Sequence, residues 1–303
     1  MTPSVIAEPD NSRHSQVEVS IIIPARNVER LTPFQLDALS RQEPGVCFEV
    51  IVVDNGSVDG TVAVVESYRG LLPGLRIVSA PPQDRPGASY PRNVGVSLSR
   101  GRSLLFVDAD DVVSSRYVQA MGAALRHKRF VAGRLERRLL NPKFTAEELA
   151  GLQCGIADGM YGCLPFAFGG SLGITKEAFE TLGGFDESVS LAEDVDLCWR
   201  AHLAGIALNF VPEALVYYRM RSGFWNLLTQ NWRRAQGAPA LYRRYRGLGM
   251  PRHSAHATIR FWLGAVRECY RCRSRSDLER CAGLIGLRLG LLKGSLQHRV
   301  IYL

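Results

Sequence analysis

The sequence predicts an α/β fold: a mostly parallel sheet with flanking helices, followed by a basic helical C-terminal region. Three observations predict it. Apolar runs of strand length alternate with helical patterns from residue 19 to residue 127. Polar residues follow the ends of those runs, at 24–27, 54–57 and 108–111, where open α/β sheets bind ligands. Charge divides the chain near residue 219. Of 37 Lys plus Arg and 29 Asp plus Glu, the part from Arg219 onward holds 17 and 3, leaving the part before it mildly acidic.

Residues 1–17 carry Pro3, Pro9 and the polar run Asp10-Asn11-Ser12-Arg13, and read as a disordered N-terminus. Val19 to Ile23 is a strand closed by Pro24, and 31–42 a helix with Pro33 in its first turn. Phe48 to Val53 is a second strand ending at Asp54, followed by a helix from Thr61 to Tyr68. Leu75 to Ser79 is a third strand. Beyond a Pro-rich loop at 81–86 lie a helix over 88–99, a strand from Ser103 to Val107 and a helix over 115–127. Residues 134–165 are less regular and suit an insertion over a site. Gly170 to Thr175 reads as a strand, and Lys176 to Leu182 as a helix ended by Gly183-Gly184. Glu193 to Leu203 is a helix with acidic residues in its first turn. Strands are expected at 206–210 and 214–219, then helices near 223–246, 253–272 and 276–296.

The run Leu104-Leu105-Phe106-Val107 reads as a strand buried on both faces, and Asp108, Asp110 and Asp111 follow it. Asp108 and Asp110, two apart on an extended chain, point the same way. Carboxylates at the edge of a core repel one another, and a divalent cation relieves that cost. Oxygen ligands suit magnesium, manganese or calcium, shared with substrate phosphates when protein ligands are few. A turn rich in Asp gives the same pattern.

Composition narrows the classes further. At 303 residues with 46% hydrophobic and 22% charged, the chain is an ordinary globular protein of one large domain or a domain plus an appendage. The basic segment suits nucleic acid, anionic lipid, an acidic partner or simply a solvated helical surface, and no RNA motif or zinc-finger spacing supports nucleic acid. Seven Cys, with no secretory signal pattern, predict free thiols and a cytoplasmic location. Cys269 and Cys272 form a CxxC in a helical context with no second pair to complete a zinc site. No apolar run is long enough to span a membrane. Residues 281–296, CAGLIGLRLGLLKGSL, suit either an interfacial helix with basic residues toward headgroups or a helix packed on the body.

Four segments stand in order: VSIIIPARN at 19–27, VIVVDNGSVDGT at 50–61, PRNVGVSLSRGRSLLFVDADD at 91–111 and GGFDESVSLAEDVDLCWRAHLAG at 183–205. Together they resemble family-2 glycosyltransferases of the GT-A fold, over residues 18–220, with 221–303 as a basic appendage for acceptor or membrane contact. The resemblance implies an inverting, metal-dependent enzyme that moves a sugar from a nucleoside-diphosphate donor to an acceptor hydroxyl. It implies that Pro24, Ala25, Asn27 and Asp54 hold the nucleoside, and that Arg92 and Asn93 lie beside the nucleotide. Asp110 binds the manganese or magnesium ion, with Asp108 on the ribose or the metal. Gly169, Gly170 and Ser171 form a small-residue entry under the donor sugar. Asp194 is the candidate general base, because an acceptor hydroxyl is a poor nucleophile until its proton leaves, and Glu193 accompanies it. Trp199 is expected in the core.

The chain also departs from that pattern. Relatives carry a His after the last sheet strand where this chain has Tyr217-Tyr218-Arg219, so Arg219 or Arg221 is expected to supply charge to the diphosphate. The QxxRW motif of processive synthases is missing, which predicts one sugar per encounter. The donor is expected to be a UDP-sugar, with a thymidine or guanosine nucleotide as alternatives. The acceptor is expected to be a saccharide or lipid-linked saccharide in cell-envelope or exopolysaccharide assembly, met at an anionic membrane surface on its inner face, with no nucleic acid partner. A natural-product glycosyltransferase and a non-catalytic nucleotide-sugar-binding scaffold are the alternatives. A sugar nucleotidyltransferase lacks its Gly-rich first loop here, and a dehydrogenase lacks GxGxxG.

Overall fold

The structure, a computed structural model, describes residues 4–5, 17–72, 74–81, 87–144, 149, 155–157, 161–189, 191–252 and 255–302. It divides into two compact units. The first comprises Met1–Ala157, Pro165–Glu187 and Glu193–Arg219; the second comprises Asp158–Leu164, Ser188–Ala192 and Met220–Leu303. Within 1–17, expected to be disordered, Ser4–Val5 is instead a strand paired antiparallel with Ser79 and Val78, and residues 1–3 and 6–16 lie outside the described residues.

The strands are β1 (Ser4–Val5), β2 (Val19–Ala25), β3 (Phe48–Asp54), β4 (Leu75–Ser79), β5 (Ser103–Phe106), β6 (Val112–Val113), β7 (Phe130–Glu136), β8 (Leu172–Thr175) and β9 (Leu208–Tyr217). Helices of the first unit are α1 (Thr32–Ser40), α2 (Thr61–Ser67), α3 (Ser89–Ser97), α4 (Tyr117–Leu125), α5 (Lys176–Thr181) and α6 (Glu193–Leu203). Among the described residues the strands form one sheet in the order β1-β4-β3-β2-β5-β8-β7-β9-β6. Strands β4, β3, β2 and β5 run parallel, as the strand–helix alternation predicts. Beyond β5 the sheet becomes mixed, because β8 enters antiparallel to both β5 and β7.

The parallel strands are buried on both faces, which explains their near-continuous apolar text. One core joins Ile21, Ile23, Val50, Val52 and Leu105 to Leu36, Val65, Val118 and Met121 from the helices. The opposite face packs Ile51, Val53 and Val78 against Val94 of α3. Phe106 meets Phe179 and Phe185 there, with ring centroids 5.6 and 5.0 Å away. Trp199 is fully buried.

Two prolines mislead a linear reading. Pro24 lies inside β2, a central strand, because the pairing of β2 with β5 stops at Ile22 opposite Phe106. Residue 24 therefore needs no donor on that side. The expected strands at 206–210 and 214–219 are the single strand β9, and Pro212 falls where its register with β7 shifts, between Gly133 opposite Val211 and Arg134 opposite Leu215. Strand β7 itself starts at Phe130, ahead of the segment expected to be irregular.

The second unit holds α7 (Phe224–Ala235), α8 (Gly237–Tyr245), α9 (Ala255–Tyr270) and α10 (Arg275–His298). The single helix expected over 223–246 breaks at Gln236–Gly237, just before Pro239 in the first turn of α8. A capping box starts α10: Asp277 N–H donates to Ser274 Oγ at 3.1 Å and Ser274 N–H to Asp277 Oδ2 at 3.0 Å. The 281–296 segment packs within its own unit, on α7. Gly286, Gly290 and Gly294 recur every fourth residue on one face of α10. A Cβ at these positions would come within 2.3 Å of the Leu228 carbonyl, 2.3 Å of the Trp232 carbonyl and 2.7 Å of the Gln236 carbonyl. Glycines there let the two helix backbones meet, so this face is interior and not available to headgroups. Among the described residues no helix is long and apolar enough to cross a membrane.

Candidate active site

The site is built at the carboxyl ends of the parallel strands. Two loops are stitched together first. Asn55 N–H donates to the Ala25 carbonyl at 2.8 Å. Asn27, in the left-handed region at φ 53°, accepts the Val58 N–H on its Oδ1 at 2.9 Å and donates its own N–H to Ser57 Oγ at 3.0 Å. Asp54 is buried, and its carboxylate receives the Ser57 N–H at 3.2 Å. Asp59 receives the Glu29 N–H at 3.2 Å and the Thr61 N–H at 3.1 Å. Pro24, Ala25, Asn27 and Asp54 thus share one rigid rim, with the Asn27 side chain occupied in holding the loops.

Next to this rim lies the acidic loop. The β2–β5 register ends with Ile22 opposite Phe106 and the Val107 N–H donating to the Ile22 carbonyl at 3.3 Å, so the acidic loop leaves the sheet at the carboxyl end of β2. The β5–β8 register places Phe106 opposite Leu172, which brings the turn Gly169–Ser171 alongside Asp108 from the other side. A Cβ on Gly169 would lie 2.7 Å from Arg92 Nη1, and one on Gly170 would lie 2.7 Å from Asp108 Oδ2. These glycines therefore make room for site side chains, a more immediate reason for small residues than contact with a sugar. Ser171 is buried and its hydroxyl donates to the Phe168 carbonyl at 3.1 Å.

Arg92 is the hub. Its side chain is 4% exposed and bridges two carboxylates, Nη2 to Asp108 Oδ1 at 2.9 Å and Nη1 to Glu193 Oε1 at 3.0 Å. It lies over the Phe185 ring, 5.4 Å from the centroid. Burial works against its charge, and the carboxylates of Asp108, Glu193 and Asp194 outweigh burial, so the guanidinium stays charged. Burial and the neighbouring Asp194 push the Glu193 carboxyl up to about 7, with Arg92 pulling it back. Asp194 is half-buried and oriented by backbone: Gly169 N–H donates to its Oδ2 at 2.9 Å and Val195 N–H to its Oδ1 at 2.9 Å. The first turn of α6 is thereby joined to the Gly169 turn and, through Arg92, to Asp108 in the loop after β5.

The third aspartate of the loop is interior. Asp111 is buried, accepts the Arg219 N–H on Oδ1 at 2.8 Å, and leaves Oδ2 without a hydrogen-bond partner. Burial and the charges of Asp108 and Asp110 hold its carboxyl well above the usual range. Arg219 also donates Nε–H to the Asp110 carbonyl at 3.0 Å and lies over the Phe34 ring at 5.6 Å. Arg219, expected at the diphosphate, thus braces the acidic loop through its backbone N–H and Nε–H. Arg221 belongs to the second unit and precedes α7. Asn93, expected beside the nucleotide, holds the 185–187 turn: its Nδ2 donates to the Phe185 carbonyl and Glu187 Oε1, both at 2.9 Å.

Sequence reasoning did not find the Arg92 bridge, the Asp111–Arg219 tie or the buried phenol of Tyr117. Burial raises the Tyr117 pKa, and Asp108 adds to the rise. The third Asp of DADD, followed directly by Val112-Val113, was the available signal for Asp111.

The donor set suits a hard cation. The carboxylates of Asp108 and Asp110 follow one strand, and their field is felt at Asp111. Among the described residues no group of three or more His, Cys, Asp or Glu side chains is placed to hold an ion by itself. Two protein carboxylates fit a cation whose remaining ligands come from a diphosphate and water.

Comparison with known proteins gives two overlapping matches. The family described as Glycosyl transferase family 2 matches residues 20–182, and Glycosyl transferase family group 2 matches residues 104–274. The poly(ribitol-phosphate) beta-N-acetylglucosaminyltransferase TarS of Staphylococcus aureus is 36% identical over 108 residues, 35% of this chain and 18% of TarS. The chain therefore spans about a fifth of the first curated relatives it matches. The amylovoran biosynthesis glycosyltransferase AmsB of Erwinia amylovora is 26% identical over 219 residues, 69% of this chain and 71% of AmsB. Among solved structures, TarS residues 1–349 in complex with UDP-GlcNAc superposes with TM-score 0.55 at 17% identity, covering 94% of this chain and 93% of that one. The mannosyltransferase PcManGT of Pyrobaculum calidifontis, in complex with GDP-Man and Mn2+, superposes with TM-score 0.59 at 18% identity, covering 98% and 90%. These likenesses establish the shared mixed α/β fold of GT-A type.

Proposed function

The chain belongs to glycosyl transferase family 2, and on that premise we propose that it is an inverting, metal-dependent, non-processive glycosyltransferase. It moves one sugar from a nucleoside-diphosphate sugar to an acceptor hydroxyl. The observation that carries this reading is the Arg92 bridge between Asp108 and Glu193, with Asp194 fixed beside it on the Gly169 N–H. One constellation thus holds a donor-side acidic loop and an acceptor-side carboxylate in register.

The rim of Pro24, Ala25 and Asp54 receives the nucleoside, with Asp54 accepting from a base N–H. Asp110 and Asp108 hold a manganese or magnesium ion, which when bound offsets the diphosphate charge and stabilises the leaving group. Asp194 takes the proton from the acceptor hydroxyl as it attacks the anomeric carbon from the face opposite the leaving nucleotide, which inverts that centre. Glu193 acts through Arg92, holding the guanidinium against Asp108. Gly170 and Ser171 keep the floor beneath the donor sugar low.

The donor is a UDP-sugar, a choice supported by the UDP-GlcNAc bound to TarS, with guanosine second by PcManGT. The acceptor is a saccharide or lipid-linked saccharide of cell-envelope or exopolysaccharide assembly. The relatives TarS, a poly(ribitol-phosphate) beta-N-acetylglucosaminyltransferase, and AmsB, an amylovoran biosynthesis glycosyltransferase, support that class. Residues 221–303 make acceptor or membrane-surface contact.

The test is thermal stability against a panel of nucleoside diphosphates, with and without manganese, on the wild type and Asp110→Ala. Stabilisation by one nucleotide that needs manganese and disappears in the variant supports the donor site and names the base. The matching sugar nucleotides are then assayed for transfer. No stabilisation by any nucleotide would overturn the enzyme reading and favour a scaffold.

A further inference from the structure

Helix α9 (Ala255–Tyr270) carries an apolar stripe that faces solvent. Ile259 is 59% exposed, Leu263 66%, Val266 65% and Tyr270 92%, and Trp262 lies at their edge. At 3.6 residues per turn these positions fall within a sector of about 100° along the helix. The opposite side is the packed one. Ala265 is buried, the Phe261 ring lies beneath the Arg288 guanidinium at 3.6 Å, and Glu268 meets Arg280 at 3.7 Å. The stripe is therefore not the face that holds α9 on α10. Exposing a Trp, a Tyr and three branched aliphatics in one row is unfavourable in water, by about 25 cal/mol for each Å² of apolar surface.

The charges around the stripe indicate what covers it. Arg260, Arg267 and Arg271 are exposed and follow one edge of it, at a helical spacing of seven and four. The single acidic residue of the helix, Glu268, is on the packed side. The chain from Arg219 onward is strongly basic as a whole. A second copy of the same helix offers no acidic edge: packed antiparallel it brings arginine edge against arginine edge, and packed parallel it sets the arginines against an edge without carboxylates. An apolar row with an aromatic belt and a basic margin is instead complementary to a bilayer surface: side chains enter the acyl boundary and guanidinium groups meet anionic headgroups.

We propose that α9 docks the chain on an anionic lipid surface, with Ile259, Trp262, Leu263, Val266 and Tyr270 inserted and Arg260, Arg267 and Arg271 on the headgroups. This places membrane contact on α9; the glycine face of the 281–296 segment is occupied by α7, while Leu289, Leu292 and Leu296 on that helix are exposed. The inference does not depend on the transfer reaction, because vesicle binding is read without donor or acceptor.

The experiment is co-sedimentation of the full chain with vesicles of phosphatidylcholine, with and without about 30% phosphatidylglycerol, at low and high salt. Three proteins are compared: wild type, Leu263→Ser/Val266→Ser, and Arg260→Gln/Arg267→Gln/Arg271→Gln. All substituted side chains are exposed, and circular dichroism checks that each variant keeps its helices. The wild type is expected to bind the anionic vesicles and release at high salt. The serine variant is expected to lose at least about tenfold in partitioning, and the glutamine variant to lose its preference for anionic over neutral vesicles. Failure of the wild type to sediment at low salt would overturn the proposal. So would wild-type binding by the serine variant. A wild-type dimer that dissociates on Leu263→Ser/Val266→Ser, with no vesicle binding, would assign the stripe to a second copy.

Discussion

Replacing Arg92 with Met should destabilise the fold by an amount that grows with pH. Arg92 is buried between Asp108 and Glu193, whose side chains are 35% and 12% exposed. Asp108 regains water when the guanidinium goes; Glu193 does not. Removing one partner of a buried ion pair costs about 3–5 kcal/mol when the remaining charge cannot be neutralised. Glu193 can be neutralised, because burial and Asp194 already push its carboxyl from 4.5 to about 7. A carboxyl raised in the folded state contributes most to stability at low pH, and that contribution falls as pH rises through its folded pKa. Loss of Arg92 removes the charge that pulls this pKa down, so in the variant the fall continues above 7 while the wild type has levelled. At about 1.4 kcal/mol per pH unit, the extra loss between pH 7 and roughly pH 8.5 is about 2 kcal/mol. The assay is urea unfolding of wild type, Arg92→Met and Arg92→Met/Glu193→Gln near pH 6 and near pH 8.5. The single variant should lose about 1–3 kcal/mol at the lower pH and about 3–5 at the higher, whereas the double variant, which no longer carries the titrating carboxyl, should lose about 1 kcal/mol less at the higher pH than at the lower. Equal losses for the single variant at the two pH values would refute the assignment of Glu193 as the charge left behind.

Asp194→Asn should keep nucleotide-dependent thermal stabilisation, because an amide oxygen still accepts the Gly169 N–H, while lowering the transfer rate by about 10²–10⁴-fold; loss of both together, measured by melting and donor-turnover assays, would make Asp194 structural instead. Gly290→Ala should destabilise the second unit by about 1–3 kcal/mol, since the new Cβ would meet the Trp232 carbonyl at 2.3 Å and overpacking exceeds the helix-propensity gain. Gly264→Ala on α9, with nothing within 4 Å of its Cβ, should stabilise by about 0.5–1 kcal/mol. Unfolding midpoints of the two alanine variants moving in the same direction would contradict the close α7–α10 contact.

Much of the first unit was legible because its strands are buried on both faces. Val50–Val53 and Leu104–Val107 are unbroken apolar runs, and such runs have few other uses. The turn after each run was legible for the same reason, since Asp54 and Asp108 mark where the apolar text stops. Strand β9 was not, because Pro212 reads as a terminator and only a neighbouring strand shows it as a register shift. The bracing of the acidic loop by Arg219 was not legible either, because its backbone N–H and Nε–H are bound to Asp111 and Asp110 from a distant part of the chain.

By itself, then, the sequence determined the alternation of strands and helices, the carboxylates at the strand ends and the basic character of the last third, because burial and local backbone preference act over a few residues. Tertiary structure alone decided which charges meet. Arg92 reaches Glu193 across 101 positions of chain, and Arg219 reaches Asp111 across 108. It also decided which side of each C-terminal helix is covered: the glycine face of α10 by α7, and none of the apolar stripe of α9. Coulomb interactions and packing depend on separation in space, and nothing in a linear spacing sets that separation.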